Sequence, residues 1–153
     1  MTIQYKKCNA VTALIEGEVD VLLHVCNNKG VMGSGIALEI KNRIPDAYES
    51  YKYVHEKFGL ELGSTSYGFS NTSDRFVINM VAQNGYGSGK RFLNYGALAQ
   101  CLHAISLDMT VEKIGLPYKM GADRAGGDWT IVLEMIEFYL KDFDVTIYEL
   151  ENV

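Results

Sequence analysis

Apolar residues recur along this chain in two periods, and the two periods mark its elements. In TIQYK, Ile3 and Tyr5 alternate with polar neighbours, which predicts a first short strand. DVLLHV, Asp20 to Val25, is nearly continuous apolar sequence, as expected of a strand covered on both faces. Ile36, Ile40 and Ile44 then recur every four residues with Ala37 beside them, one stripe of a helix that Pro45 breaks. Asp46 and Glu49 form a candidate capping box for a second helix through Phe58, which Gly59 is placed to end. STSYGFS and RFVINMVA read as two adjacent strands joined by the turn-like NTSD. After the loop NGYGSGKR, Asn84 to Arg91, Asn94 can cap a helix with the stripe Leu98, Cys101, Leu102, Ile105 and Met109. KIGLPY is a short buried strand, KMGADRAGGD a second glycine-rich loop, and Trp129, Val132, Leu133, Ile136 and Leu140 mark a last helix before the strand DVTIYEL.

Strands and helices interleave, so the expected fold is a three-layer α/β/α sandwich around a mixed, mostly parallel six-stranded sheet. Nothing divides the chain: residues 1–153 contain no linker, repeat or low-complexity tract, which predicts a single domain. Ligands of such sheets sit beyond the carboxyl ends of the strands. Both glycine-rich loops, after Val25 and after Tyr118, follow strands and precede helices, so they can face one another across one cleft.

Composition narrows the chemistry. The net charge is −5, which disfavours stable binding to a phosphate backbone. A small anion held by backbone N–H groups needs no net positive charge. The three cysteines, Cys8, Cys26 and Cys101, are dispersed, and their odd number with no CxxC pair argues against a disulfide framework or a zinc knuckle. Reduced thiols in a cytoplasmic protein are the simpler reading. No apolar run approaches membrane-spanning length, and the opening MTIQYKKCNA has no signal-peptide core.

In the first loop, Gly33, Ser34 and Gly35 directly precede the isoleucine stripe, where helical N–H groups lack partners and glycine admits a close phosphate. The same glycines would also serve a plain strand-to-helix turn. The second loop holds Gly121, Gly126 and Gly127, and the two loops together can clamp a pyrophosphate from both sides. His24 lies in an apolar strand three residues before Asn27. It is either a satisfied core histidine or a proton carrier on the cleft floor. Asn27 and Asn28 can hold sugar hydroxyls or form the turn. Asp123 and Asp128 are the acids of the second loop, and Asp128 can equally cap the last helix. Arg124 can meet a phosphate or be solvated. No ligand spacing suggests a metal, and Cys26 has no basic partner in sequence.

At these residues the chain resembles the macro domain, an ADP-ribose-binding family. The matching segments are Asn27 with MGSGIA, Met32 to Ala37; LPYKMGADRAGGDW, Leu116 to Trp129; the opening YKKCNAVTAL; and the final VTIYEL. The likeness covers nearly the whole chain. Two branches are similar. The ADP-ribose 1″-phosphate phosphatase branch resembles LLHVCNNKG and FLNYGAL, Phe92 to Leu98. The terminal ADP-ribose protein glycohydrolase branch resembles MGSGIA and the Trp129 region. That second branch works through a lysine and an aspartate, where this chain has Gln83 and Asn84, and Ala125. Most of the family carries Gly-Asp after the first strand to receive the adenine amino group. Here Cys8-Asn9 stands instead, and the phosphatase branch likewise has Asn.

The resemblance implies that the chain binds ADP-ribose or ADP-ribose 1″-phosphate and hydrolyses the latter to ADP-ribose and phosphate; the expected form is a monomer without cofactor or metal. Alternatives are a mono-ADP-ribosyl hydrolase acting on protein or nucleic acid, and a non-catalytic binder. Asn9 and Ala10 would receive the adenine edge. Met32, Gly33, Ser34, Gly35 and Ile36 on one side, and Gly121, Ala122, Asp123, Arg124, Ala125 and Gly126 on the other, would clamp the diphosphate. Asn27 and Asn28 would hold the distal ribose. His24, Asn27, Asp123 and Asp128 are the candidate catalytic residues.

Overall fold

The computed structural model describes residues 2–71, 74–108 and 110–150. Met109 of the apolar stripe, and Thr72 and Ser73 of the NTSD turn, lie outside the described residues. In chain order the elements are β1 Thr2–Lys6, α1 Ala10–Glu16, β2 Val21–Asn27, α2 Gly35–Arg43, α3 Pro45–Lys57, β3 Thr65–Phe69, β4 Phe76–Gln83, α4 Tyr95–Ser106, β5 Lys113–Pro117, α5 Trp129–Tyr139 and β6 Asp144–Tyr148. The strands form one sheet in the order β1-β6-β5-β2-β4-β3. Every neighbouring pair is parallel except β3 with β4, which is the adjacent pair expected from sequence. This is the expected three-layer sandwich.

Alternation along the two central strands divides the core. Leu23 of β2 and Met80 of β4 face Leu98 of α4 and Val132 of α5. Leu22 and Val77 face the opposite way, against Leu14 of α1 and Ile40 of α2, while Cys26 and Val81 pack on Tyr51 of α3. So α1, α2 and α3 cover one face and α4 and α5 the other. Both faces of β2 are buried, which is why its sequence shows no polar alternation.

Two local expectations change. The helix α1 carries too short an apolar stripe to stand out by period, and it is set instead by its ends. Asn9 caps it by accepting from the Thr12 N–H at 2.9 Å, and Gly17 closes it in the left-handed region. The capping box at Asp46 and Glu49 does not form. Pro45 is itself the first residue of α3 and Ile44 precedes it with no side-chain cap, because proline is pre-shaped for that position and has no N–H to satisfy.

Candidate functional site

All five parallel strands present their carboxyl ends on the same edge of the sheet, and one cleft of about 950 Å³ runs along that edge. That volume is at the upper end of the roughly 300–1,000 Å³ of small-molecule sites. Its walls follow the strand order. Cys8, Asn9 and Ala10 line the β1 end, and Tyr148 and Glu149 follow from β6. Tyr118, Gly121 and Asp123 come from β5 and Asn27 with residues 31–37 from β2. Gln83, Tyr86 and Ser88 close the β4 end.

The centre of the cleft is where the topology turns. β2 and β5 are sheet neighbours, but the chain leaves β2 for α2 on one face and leaves β5 for α5 on the other. The two glycine loops therefore diverge around a crevice and flank it from opposite sides. On the first side, α2 opens at Gly35, with Ser34 extended before it and no side chain capping the helix. Among the described residues, the leading N–H groups of α2 thus have no side-chain partner at the cleft wall. On the second side, Gly121, Asp123, Arg124 and Ala125 line the cleft.

Several residues expected in the clamp lie elsewhere. Ala122 and Gly126 are not in the cleft wall, and their N–H groups already donate inside the loop, to Lys119 O at 2.8 Å and Asp123 O at 3.2 Å. Gly126 serves packing: a Cβ there would stand 2.6 Å from the carbonyl oxygen of Lys90. Met32 reaches the wall but is buried, packed with Tyr51 and Cys26 under the loop. Ser34, Gly33 and Ile36 line the cleft as expected.

The asparagines after β2 build the loop. Asn27 Nδ2 donates to Val31 O at 2.8 Å, and its Oδ1 accepts from the Lys29 N–H at 2.9 Å. The Tyr51 hydroxyl lies 2.6 Å from Asn27 O and 2.9 Å from its Oδ1, and burial pushes that phenol well above its ordinary range, so it stays a donor. Asn27 thus borders the cleft with one amide hydrogen left for a ligand. Asn28 does not line the cleft. It joins two loops, donating to Asn84 Oδ1 at 3.1 Å and accepting from the Gly85 N–H at 2.9 Å.

His24 comes up beneath the cleft floor but has no exposed surface. Its Nε2 lies 2.6 Å from Asn79 Oδ1. Asn79 Nδ2 donates to Ala47 O and Ser66 Oγ, both at 3.0 Å, so the Asn79 oxygen must accept and His24 Nε2 must carry the proton. Burial lowers the His24 pKa to about 4, partly offset by the Asn79 bond. This is a neutral core histidine and not a proton carrier for the cleft. Asp128 is likewise a cap: it accepts from the Thr130 N–H at 2.8 Å and lies outside the cleft. Asp123 is the member of the expected catalytic set whose exposed carboxylate borders the cleft without a hydrogen bond among the described residues. Ala125 is buried and its carbonyl accepts from the N–H groups of Phe92 and Leu93, joining the second loop to the one after β4. Trp129 meets Tyr118 edge-on at 5.4 Å, beneath the start of the second loop.

Sequence reasoning passed over Glu39, Tyr86, Ser88 and Tyr148, all of which line the cleft. Glu39 had a visible signal: it stands one helical turn beyond Gly35 and four residues before Arg43. At the adenine-facing end expected for Asn9, the asparagine is already occupied. Its Oδ1 caps α1, and its Nδ2 donates to Glu39 Oε2 at 2.7 Å. Burial also pushes the Cys26 thiol well up, as befits a packing residue. Among the described residues, no cluster of three or more His, Cys, Asp or Glu could hold a metal, and no helix is long and apolar enough to cross a membrane.

No family model matches the chain. It is 26% identical over 141 residues to a DNA ADP-ribosyl glycohydrolase of Thermus aquaticus, covering 89% of this chain but 39% of that protein. The chain thus spans about two fifths of that relative's length. A protein of unknown function from Bacteroides thetaiotaomicron superposes with a TM-score of 0.87 at 28% identity, covering 98% of this chain and 99% of that one. The macrodomain of Mycobacterium tuberculosis DarG superposes at 0.77 with 22% identity, covering 96% and 97%. Thermosipho africanus DarTG, solved in complex with ADP-ribose, gives 0.75 at 20% identity, over 92% of this chain and 41% of that one. By sheet order, by the cleft at the carboxyl edge and by these superpositions, the chain has the macrodomain fold.

Proposed function

We propose that the cleft binds ADP-ribose and that this domain hydrolyses ADP-ribose 1″-phosphate to ADP-ribose and phosphate. The observation that carries this reading is the pair of turns leaving adjacent strands for opposite faces, which put main-chain N–H groups on both sides of one crevice. A diphosphate placed there has its adenosine toward β1 and its distal ribose toward β4. Ala10, Ile36 and Tyr148 offer apolar surface to a base at the β1 end beside the polar Asn9 and Glu39, and Gln83 and Ser88 offer polar groups at the β4 end. Asp123, an exposed carboxylate in the cleft wall, orients a water or takes its proton. Water supplies the oxygen, the bond to the 1″ phosphate breaks, and the proton lost by the water is matched by the one gained at the ribose oxygen. The sequence likeness to the phosphatase branch at LLHVCNNKG and FLNYGAL supports phosphate as the leaving group.

A second reading is release of ADP-ribose from a nucleobase. The name of the Thermus relative favours it, as does Tyr86, whose exposed ring at the β4 end offers a stacking platform. Purified protein is offered ADP-ribose 1″-phosphate and ADP-ribosylated single-stranded DNA in parallel. Phosphate release from the first alone is the expected result. Release of ADP-ribose from the DNA alone transfers the proposal to the second reading. Inertness toward both, with ADP-ribose bound, makes the domain a binder. Asp123→Asn is expected to lower turnover about 100-fold while leaving affinity within about threefold.

A further inference from the structure

The β1 end of the cleft, where the proposed reading puts the base, holds a carboxylate beside the amide of Asn9. Glu39 stands on α2 one turn past Gly35 and lines the cleft with Asn9 and Ala10. Its Oε2 is held twice, by Asn9 Nδ2 at 2.7 Å and by Arg43 Nη1 at 2.9 Å. Arg43 Nη1 is itself fixed by Thr12 Oγ1 at 2.9 Å and approaches Asn9 Oδ1 at 3.4 Å. Asn9 Oδ1 meanwhile accepts from the Thr12 N–H. Asn9 is therefore engaged at both ends of its amide. Glu39 Oε1 has no hydrogen bond among the described residues, and the side chain is 31% exposed.

We infer that Glu39 is the residue that reads the base: its Oε1 accepts the exocyclic amino group of adenine, and Asn9 and Arg43 position it. This rests on the ADP-ribose reading above. The chemistry gives the preference a direction. A carboxylate accepts only, so it matches the amino group of adenine and opposes the 6-oxo oxygen of hypoxanthine. Arg43 shares the charge on Oε2 and leaves Oε1 as the acceptor facing the ligand. A neutral asparagine, which can turn either its oxygen or its nitrogen outward, would not separate the two bases this way.

The test compares ADP-ribose with its hypoxanthine counterpart, inosine diphosphate ribose, by calorimetry on wild-type protein and on Glu39→Gln. Wild type is expected to prefer ADP-ribose by about 10- to 100-fold, the span of one charge-assisted hydrogen bond. Glu39→Gln keeps the shape and an acceptor for Asn9, yet can rotate its amide to suit either base. Its preference is expected to collapse to within about threefold. A purely structural role for Glu39 would weaken both ligands together and leave the ratio intact. Thermal melting of the variant reports whether the fold is kept, and Glu39→Asp, which retains the charge, is expected to restore part of the ratio. An undiminished ratio in Glu39→Gln, or no preference in wild type, overturns the inference while the ADP-ribose reading stands. Failure of wild type to bind either nucleotide overturns both.

Discussion

Gly35 begins α2 with φ +57° and nothing within 4 Å of the place a side chain would occupy. That combination separates ligand binding from folding. Gly35→Glu is expected to cost about 1–2 kcal/mol of stability from the left-handed backbone alone, a melting shift of about 2–8 °C. On the proposed reading its carboxylate meets the diphosphate at short range, so ADP-ribose affinity is expected to fall at least about 100-fold. Calorimetry beside a melting curve checks both; unchanged affinity in a folded variant would remove the first loop from the site. At this scale the sequence was partly legible. The types of residue pointed to chemistry, but a type does not say where its hydrogen bonds go. From sequence, His24 reads sooner as a core histidine and Asp128 as a helix cap than as catalysts, and Asn79 and the Thr130 N–H beside them decide it. Asn9 reads as a base acceptor, and nothing in its type shows that its amide also bonds Thr12 and Glu39.

Elements were legible wherever a local period or a terminal residue defines them. The isoleucine stripe of α2, the Asn94 cap of α4, which accepts from the Ala97 N–H at 2.9 Å, and the continuous apolar run of β2 all follow from short-range stereochemistry. What short range does not contain is how elements touch. Gly68 on β3 shows this. A Cβ at that position would overlap the backbone of Asp46 and Ala47, so the first turn of α3 lies directly on the strand with no room for a side chain. Backbone cannot yield as a side chain can. Gly68→Ala is expected to destabilise the fold by about 3 kcal/mol or more, measured by denaturant unfolding. Nothing in TSYGF announces that contact, since a glycine in a strand is equally consistent with a bulge or a bend.

Across the whole molecule, the buried group formed by His24, Asn79 and Ser66 ties β2, β4 and β3 together and links them to α3 through Ala47. It also gives the fold a dependence on acidity. The folded His24 pKa is lowered from 6.5 to about 4, so between those values the unfolded chain binds the proton more readily. This contribution to stability is complete above pH 6.5 and is lost as the pH falls through that window toward 4, by up to a few kcal/mol. Unfolding free energies at pH 7 and pH 4.5 are expected to differ more for wild type than for His24→Gln, in which nothing titrates at this position. Parallel pH dependences would contradict the buried neutral state. At the same scale lies the division between chain and fold. Alternation, helical stripes and turn residues act over a few positions, so the linear sequence determined the number and kind of most elements, the layered class and the two glycine loops. Tertiary structure alone decided that β2 and β5 are neighbours with helices leaving to opposite faces. It also brought Glu39 against Asn9 across a separation of 30 residues. Those outcomes depend on which strands pair and which face each helix covers, and that choice is made by packing over the entire core.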